Sequence, residues 1–148
     1  CELALHCEFI VASEDARFGM SLAQVGLAPT WFLAKKLMEV AGPVGTREIL
    51  LLGDPMPAQW MHDRGLIARV APKDQLEVEV QKIVDRLSSN APLSLKTTNL
   101  IVNELLKDAG DRDMALCHQL VEDCAKSDDL EEGRRAFMEK RKPAFMGR

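Results

Sequence analysis

Glycine and proline punctuate the early part of this chain so densely that no long helix can run through it. Gly26 and Pro29, Gly42-Pro43, Gly53-Asp54-Pro55, Pro57, Gly65 and Pro72 follow one another. Proline removes a helix donor and crowds the preceding turn, and glycine favours turns and caps. The segments between these breaks are therefore short. Phe9-Ile10-Val11-Ala12, bounded by Ser13-Glu14-Asp15, reads as a buried strand and a turn, and Ala16 to Gly19 as the beginning of a second short strand. Leu33, Leu37 and Val40 have helical spacing up to the stop at Gly42-Pro43, and a second helix is predicted over Val44 to Leu52. Pro57 then opens a helix through Ala58 to Arg64, Gly65 closes it, and Leu66 to Val70 follows as a strand. Residues 1 to 7 read as the last turns of a helix, with Leu3 and Cys7 on one face, and Met20 to Pro29 as loop or short strand.

Beyond Pro72 the punctuation thins and the period changes. Leu76, Val80, Ile83, Val84 and Leu87 form an amphipathic stripe, Pro92 to Lys107 reads as helix, and Met114, Cys117, Val121 and Cys124 share one helix face. The chain is thus α/β early and helical late.

A length of 148 residues suits one domain, and 47% hydrophobic with 28% charged residues excludes a disordered chain. The net charge of −4 has the wrong sign for coating nucleic acid or an anionic membrane. No apolar run approaches the roughly 18 residues of a membrane helix. The 4 cysteines, Cys1, Cys7, Cys117 and Cys124, lack the paired short spacings of zinc or redox sites and are too few for a disulfide framework, which points to reduced thiols and a cytoplasmic setting. No metal site is expected: Cys117 and Cys124 lie on the apolar stripe beside His118 and read as buried filler. The chain opens on Cys1 with neither an initiator methionine nor a signal-peptide pattern, and it reads as a fragment whose upstream part is missing. At the other end Arg134, Arg135, Lys140, Arg141, Lys142 and Arg148 are set against Glu139 alone. Such a segment either meets a phosphorylated small molecule or is a solvated helix end that complements the dipole.

Taken in order, Cys1-Glu2-Leu3-Ala4-Leu5, Phe9 to Ser13, Ala16-Arg17-Phe18-Gly19, Gly26-Leu27-Ala28-Pro29, Gly65-Leu66-Ile67, Val70-Ala71-Pro72, Ala91-Pro92-Leu93, and Glu132-Gly133 through Ala136-Phe137-Met138-Glu139-Lys140-Arg141 resemble the crotonase, or enoyl-CoA hydratase/isomerase, superfamily. The resemblance runs from Cys1 to Arg148. It implies an α/β fold, the crotonase-like spiral of ββα units, with its later turns in residues 1–90 and a C-terminal helical trimerisation region in residues 91–148. It also implies a homotrimer or homohexamer, an acyl-CoA thioester as substrate, and no cofactor beyond the coenzyme A of that substrate.

In this family two backbone N–H groups hold the thioester oxygen while an enolate develops. By resemblance both donors precede Cys1. Glu2 matches the family's first catalytic glutamate, a carboxylate whose reach suits water or a substrate carbon. The bland reading of Glu2 is a helix-dipole residue. The second glutamate of hydratases is expected where Leu22 stands, and leucine cannot carry a proton. His6, beside Glu2, is a candidate replacement acid or base, or else an ordinary helix-face histidine. Thr30, Trp31 and Phe32 replace a glycine-rich run, and either reshape the acyl pocket or pack in the core. Phe137 and Lys140 match positions that contact the adenine and phosphate end of coenzyme A, often on a neighbouring subunit, although Phe137 could equally anchor its helix in the core. The resemblance therefore implies enolate chemistry on a CoA thioester. The alternative is a non-catalytic subunit of the same fold.

Overall fold

Short strands meet in two pairs early in the chain, and helices fill the rest of the computed structural model, which describes residues 1–148. Strand β1 (Val11–Ser13) pairs in parallel with β4 (Arg69–Ala71), in the register Val11↔Arg69, Ala12↔Val70 and Ser13↔Ala71. Strand β2 (Arg17–Phe18) pairs antiparallel with β3 (Met56–Pro57). Parallel partners need a long crossover, and here it contains α1 (Trp31–Arg47), a π-helical turn (Glu48–Leu52) and α2 (Ala58–Asp63). Four further helices follow: α3 (Leu76–Ser88), α4 (Pro92–Leu105), α5 (Met114–Ala125) and α6 (Asp128–Met138). The chain divides into two compact units, Cys1–Gln81 and Lys82–Arg148.

In the first unit the predicted break at Gly42-Pro43 is real. Gly42 has φ 64° and ψ 179°, a conformation that a side chain would oppose, so Trp31–Arg47 is two helical runs joined at a kink. Pro43 then opens the second run, where its missing N–H costs least. The Thr30 hydroxyl accepts from the Leu33 N–H at 3.1 Å and caps α1. Residues 48–52, expected to continue the helix, widen into the π turn and stop at Gly53.

The core of this unit draws one or two side chains from each element. Leu37, Ile49, Met61 and Ile67 are fully enclosed, and Leu5, Ala12, Met20, Leu33, Leu50, Ala58 and Leu66 surround them. Burying such an aliphatic side chain stabilises by about 1.5–3 kcal/mol. After α2, the His62 Nδ1 lies 2.7 Å from the Ile67 carbonyl oxygen. A carbonyl can only accept, so this nitrogen carries the ring proton. Arg64 lies 3.4 Å over the Trp60 ring and reaches Glu48 at 3.9 Å.

Both strands of the parallel pair begin two or three residues later than the apolar runs suggest. The runs mark burial: Leu66 and Ile67 are enclosed but precede the ladder, whose register is set by where the two strands meet. Residues 1 to 7 form a single 3-10 turn, Leu3–His6, rather than the end of an α-helix.

The second unit is built by caps and polar bonds more than by a large apolar core. Asp113 caps α5 through the Leu116 N–H at 2.8 Å, and Ser127 caps α6 through the Leu130 N–H at 3.2 Å. Glu104 of α4 is buried and accepts from the Lys107 ammonium at 2.6 Å and the Asp113 N–H at 2.9 Å, which ties the α4–α5 connection. The Lys107 hydrogen bond, seconded by the Asp113 N–H, holds the Glu104 carboxyl below its ordinary range. The predicted α5 stripe is only partly covered. Cys117 is buried and Cys124 half-buried, 3.3 Å from the Thr97 hydroxyl, while Met114 and Val121 are exposed.

Candidate functional site

Glu2 sits at the N-terminal edge of the 3-10 turn with helical φ and ψ. Its side chain makes no capping bond and is exposed. Its backbone carbonyl is occupied by the Leu5 N–H at 3.0 Å, so the residue is anchored through its main chain and its carboxylate is left to solvent. One turn on, the His6 ring stacks on Phe32 with centroids 5.6 Å apart and planes 11° from parallel. That stack links the Glu2 turn to the first turn of α1.

The residues proposed from sequence for an acyl pocket separate into different roles. Thr30 caps α1. Trp31 is 85% exposed, and Phe32 is exposed on the side not covered by His6. Core packing within this chain therefore accounts for neither aromatic ring. Leu22 is half-buried and packs against the apolar core, and its carbonyl accepts from the Val25 and Leu27 N–H groups. The Leu22 loop is fixed from the other side as well. The Gln24 amide donates to the Leu52 carbonyl at 3.0 Å, and a Cβ on Gly53 would lie 3.0 Å from that amide, so a side chain at Gly53, already opposed by the left-handed φ of 70°, would displace the Gln24 amide.

In the second unit the basic tail folds back on its own helix. Asp129, only 3% exposed, accepts from the Met146 N–H at 2.7 Å and the Gly147 N–H at 2.9 Å. Arg141 donates two bonds to Glu132, at 2.6 and 3.0 Å, and the Ala144 N–H adds a third at 2.9 Å. Arg134, Arg135 and Arg148 also pair with carboxylates. The composition of the tail had suggested unbalanced positive charge, but most of it is neutralised locally by acids of α6. Phe137 is 82% exposed, so it is no core anchor within this chain. Lys140, also exposed, follows it at the end of the same helix.

The enoyl-CoA hydratase/isomerase family matches residues 1–148, the whole chain. The chain belongs to the enoyl-CoA hydratase/isomerase family. It is 30% identical over 148 residues to the crotonyl-CoA hydratase of Syntrophomonas wolfei, and 30% identical over 148 residues to the 2,3-dehydroadipyl-CoA hydratase of Escherichia coli. It covers 57% and 58% of those two proteins, so it spans little more than half their length. The crystal structure of enoyl-CoA hydratase from Mycobacterium tuberculosis superimposes on 99% of the chain with a TM-score of 0.89 at 28% identity, covering 58% of that structure. The α/β fold expected from the resemblance is thereby the crotonase fold, and this chain shows the mainly helical C-terminal part of it.

Within this family member the Glu132 clamp makes a pH prediction. The Arg141 guanidinium, followed by the Ala144 N–H, lowers the Glu132 carboxyl from 4.5 to about 2. A carboxyl lowered in the folded state contributes stability that is full above its unfolded value and is lost as pH falls through the folded one. The melting-temperature penalty of Glu132→Gln should therefore stay constant from neutrality down to about pH 5, then shrink and vanish near pH 2. Thermal melts of both proteins across that range check this, and an undiminished penalty at the acid end would show that the charge is not what matters.

Proposed function

We propose that the protein carrying this chain acts on an acyl-CoA thioester through an oxyanion-stabilised enolate, with Glu2 as its acid/base carboxylate. The observation that carries this reading is Glu2 itself. In a chain that matches the family from end to end, the residue we assign to the first catalytic position presents a carboxylate that makes no capping bond and faces solvent.

One carboxylate that removes a proton from the acyl chain and returns it at another carbon completes a double-bond shift with no net proton change. Leu22 cannot supply a second proton carrier, so isomerisation, or another single-carboxylate reaction such as decarboxylation through an enolate or thioester hydrolysis through a tetrahedral oxyanion, fits at least as well as hydration. Leu22, Thr30, Trp31 and Phe32 are assigned to the acyl side of the site, and Phe137 and Lys140 to the nucleotide end of coenzyme A. The related hydratases named above support a CoA thioester as the substrate class. No cofactor beyond the substrate's own coenzyme A is required, and the setting is cytoplasmic. No helix is long and apolar enough to cross a membrane. Residues 1–90 are assigned to the spiral core and 91–148 to the trimerisation region. The exposed Val84, Val102, Leu105, Leu116 and Val121 support a homotrimer or homohexamer.

Leu22 favours one other reading, a non-catalytic subunit that binds CoA esters. Incubating the full-length protein with a short 2-enoyl-CoA and its 3-enoyl isomer separates the two. Conversion of either ester, followed by loss or gain of the conjugated thioester absorbance, is the expected result. Tight binding of both esters and of a carboxylated acyl-CoA, with no isomerisation, hydration, decarboxylation or thiol release, would replace the enzyme by the binding subunit.

A further inference from the structure

The end of α6 contains a lysine where the backbone asks for glycine. The Lys140 N–H donates to the Phe137 carbonyl at 3.2 Å and the Arg141 N–H to the Ala136 carbonyl at 3.0 Å, the paired bonds of a Schellman cap. The residue between those donors must take a left-handed conformation. Lys140 does so with φ 52°, and no other residue except glycine has positive φ in this chain. Left-handed backbone at a residue with a Cβ is unfavourable and persists only where the surroundings over-determine it.

Those surroundings are the clamp immediately beyond. The next residue, Arg141, is locked to Glu132 by a two-pronged ion pair, and Glu132, whose side chain is only 14% exposed, also takes the Ala144 N–H. Asp129, one turn earlier on α6, fixes the Met146 and Gly147 N–H groups, and the Arg148 carbonyl accepts from the Asp129 N–H at 3.1 Å. The tail is thus held to α6 at both of its ends. Among the tail's arginines, Arg141 and Arg148 are occupied by carboxylates, whereas the Lys140 ammonium enters no ion pair, and Phe137, whose carbonyl takes the Lys140 N–H, is exposed.

We infer that Glu132 and Arg141 are positioning residues: their fork forces Lys140 into the left-handed cap and so fixes where its side chain leaves the end of α6, three residues past the exposed Phe137, for the adenine and phosphate end of a CoA thioester. The inference rests on the CoA reading proposed above and adds to it the device that builds the handle. Glu132 and Arg141 need not touch the ligand. They act through the backbone between them and Lys140. The acid-shifted Glu132 carboxyl agrees with a fork that remains charged at every physiological pH.

The test compares two ligands in the full-length protein by calorimetry, butyryl-CoA and butyryl-pantetheine, which lacks the nucleotide end. Loosening the handle should weaken the first and spare the second. Glu132→Gln and Arg141→Lys are each expected to raise the Kd for butyryl-CoA about tenfold, equivalent to about 1.4 kcal/mol, with the Kd for butyryl-pantetheine unchanged. Arg141→Lys keeps the charge while breaking the fork and the Nε bond to Glu139, so it reports even if Glu132→Gln folds poorly. Lys140→Gly should raise the melting temperature by relieving the strained backbone, yet weaken butyryl-CoA selectively. Equal weakening of both ligands, or of neither, by the fork variants overturns the inference. If Phe137→Ala and Lys140→Ala also fail to distinguish the two ligands, or if wild type binds neither, the CoA reading itself falls.

Discussion

On the proposed reading, replacing Glu2 by glutamine in the full-length protein should lower kcat for the CoA thioester by at least about 100-fold, the lower end of what a positioned acid or base contributes. Glutamine keeps the size and hydrogen-bonding capacity of the side chain and removes only its ability to exchange a proton. KM should change little, because the proposed role sets the carboxylate at the reacting carbon and not at the coenzyme. Stability should also be unaffected: the Glu2 side chain is exposed, caps nothing, and is anchored through its backbone carbonyl to Leu5. Steady-state kinetics beside a thermal melt distinguish this from a folding defect. Activity within about threefold of wild type would remove Glu2 from the chemistry, since a general acid or base contributes far more than that. His6 would then become the group to test, although its stacking on Phe32 already gives it a structural role.

The second large effect is on stability. Ile49 is fully enclosed, in the π turn that follows the kinked helix, and its neighbours in the core come from separate elements on either side of it in sequence. Truncation to alanine removes the buried methyl and methylene groups and leaves a cavity that backbone from several elements cannot jointly collapse to fill. Ile49→Ala is therefore expected to cost about 2–5 kcal/mol, and Ile49→Val about 0.5–1.5 kcal/mol. Denaturant titration of the full-length protein should show a lower midpoint at an unchanged slope, graded in that order. A wild-type midpoint for Ile49→Ala would mean that this side chain does not lie in the core. The same lesion should leave the Kd for butyryl-CoA near its wild-type value while the protein remains folded, which separates it from the variants of the tail clamp.

The helices were the most legible part of the chain. The stripe over Leu76 to Leu87 and the run after Pro92 became α3 and α4, because a 3.6-residue apolar period is a local signal. The kink at Gly42-Pro43 was legible for the same reason, since a backbone break belongs to the residues that cause it. Strand boundaries were less so. Apolar runs report which residues are buried, whereas the ladder between β1 and β4 depends on where two distant segments meet. Thr30 answers to a local signal as well as to the family pattern. A threonine before an apolar helical run is an ordinary cap, and the structure uses it as one.

At the proposed coenzyme handle, sequence could name Phe137 and Lys140 by their place in the family's order, but it could not show what holds them. Nothing in Glu139-Lys140-Arg141-Lys142 announces a positive φ at the lysine. Nor does an excess of basic residues reveal that Arg141 is tied to Glu132, nine residues away. The residue types present, their periodicities and their breaks were settled by the sequence alone, because those are properties of neighbours along the chain. Which carboxylates are left open to solvent, as at Glu2, and which are consumed in holding the fold, as at Glu104, Asp129 and Glu132, was decided only by the tertiary structure, because a charge's role depends on the partners that folding brings within hydrogen-bond reach.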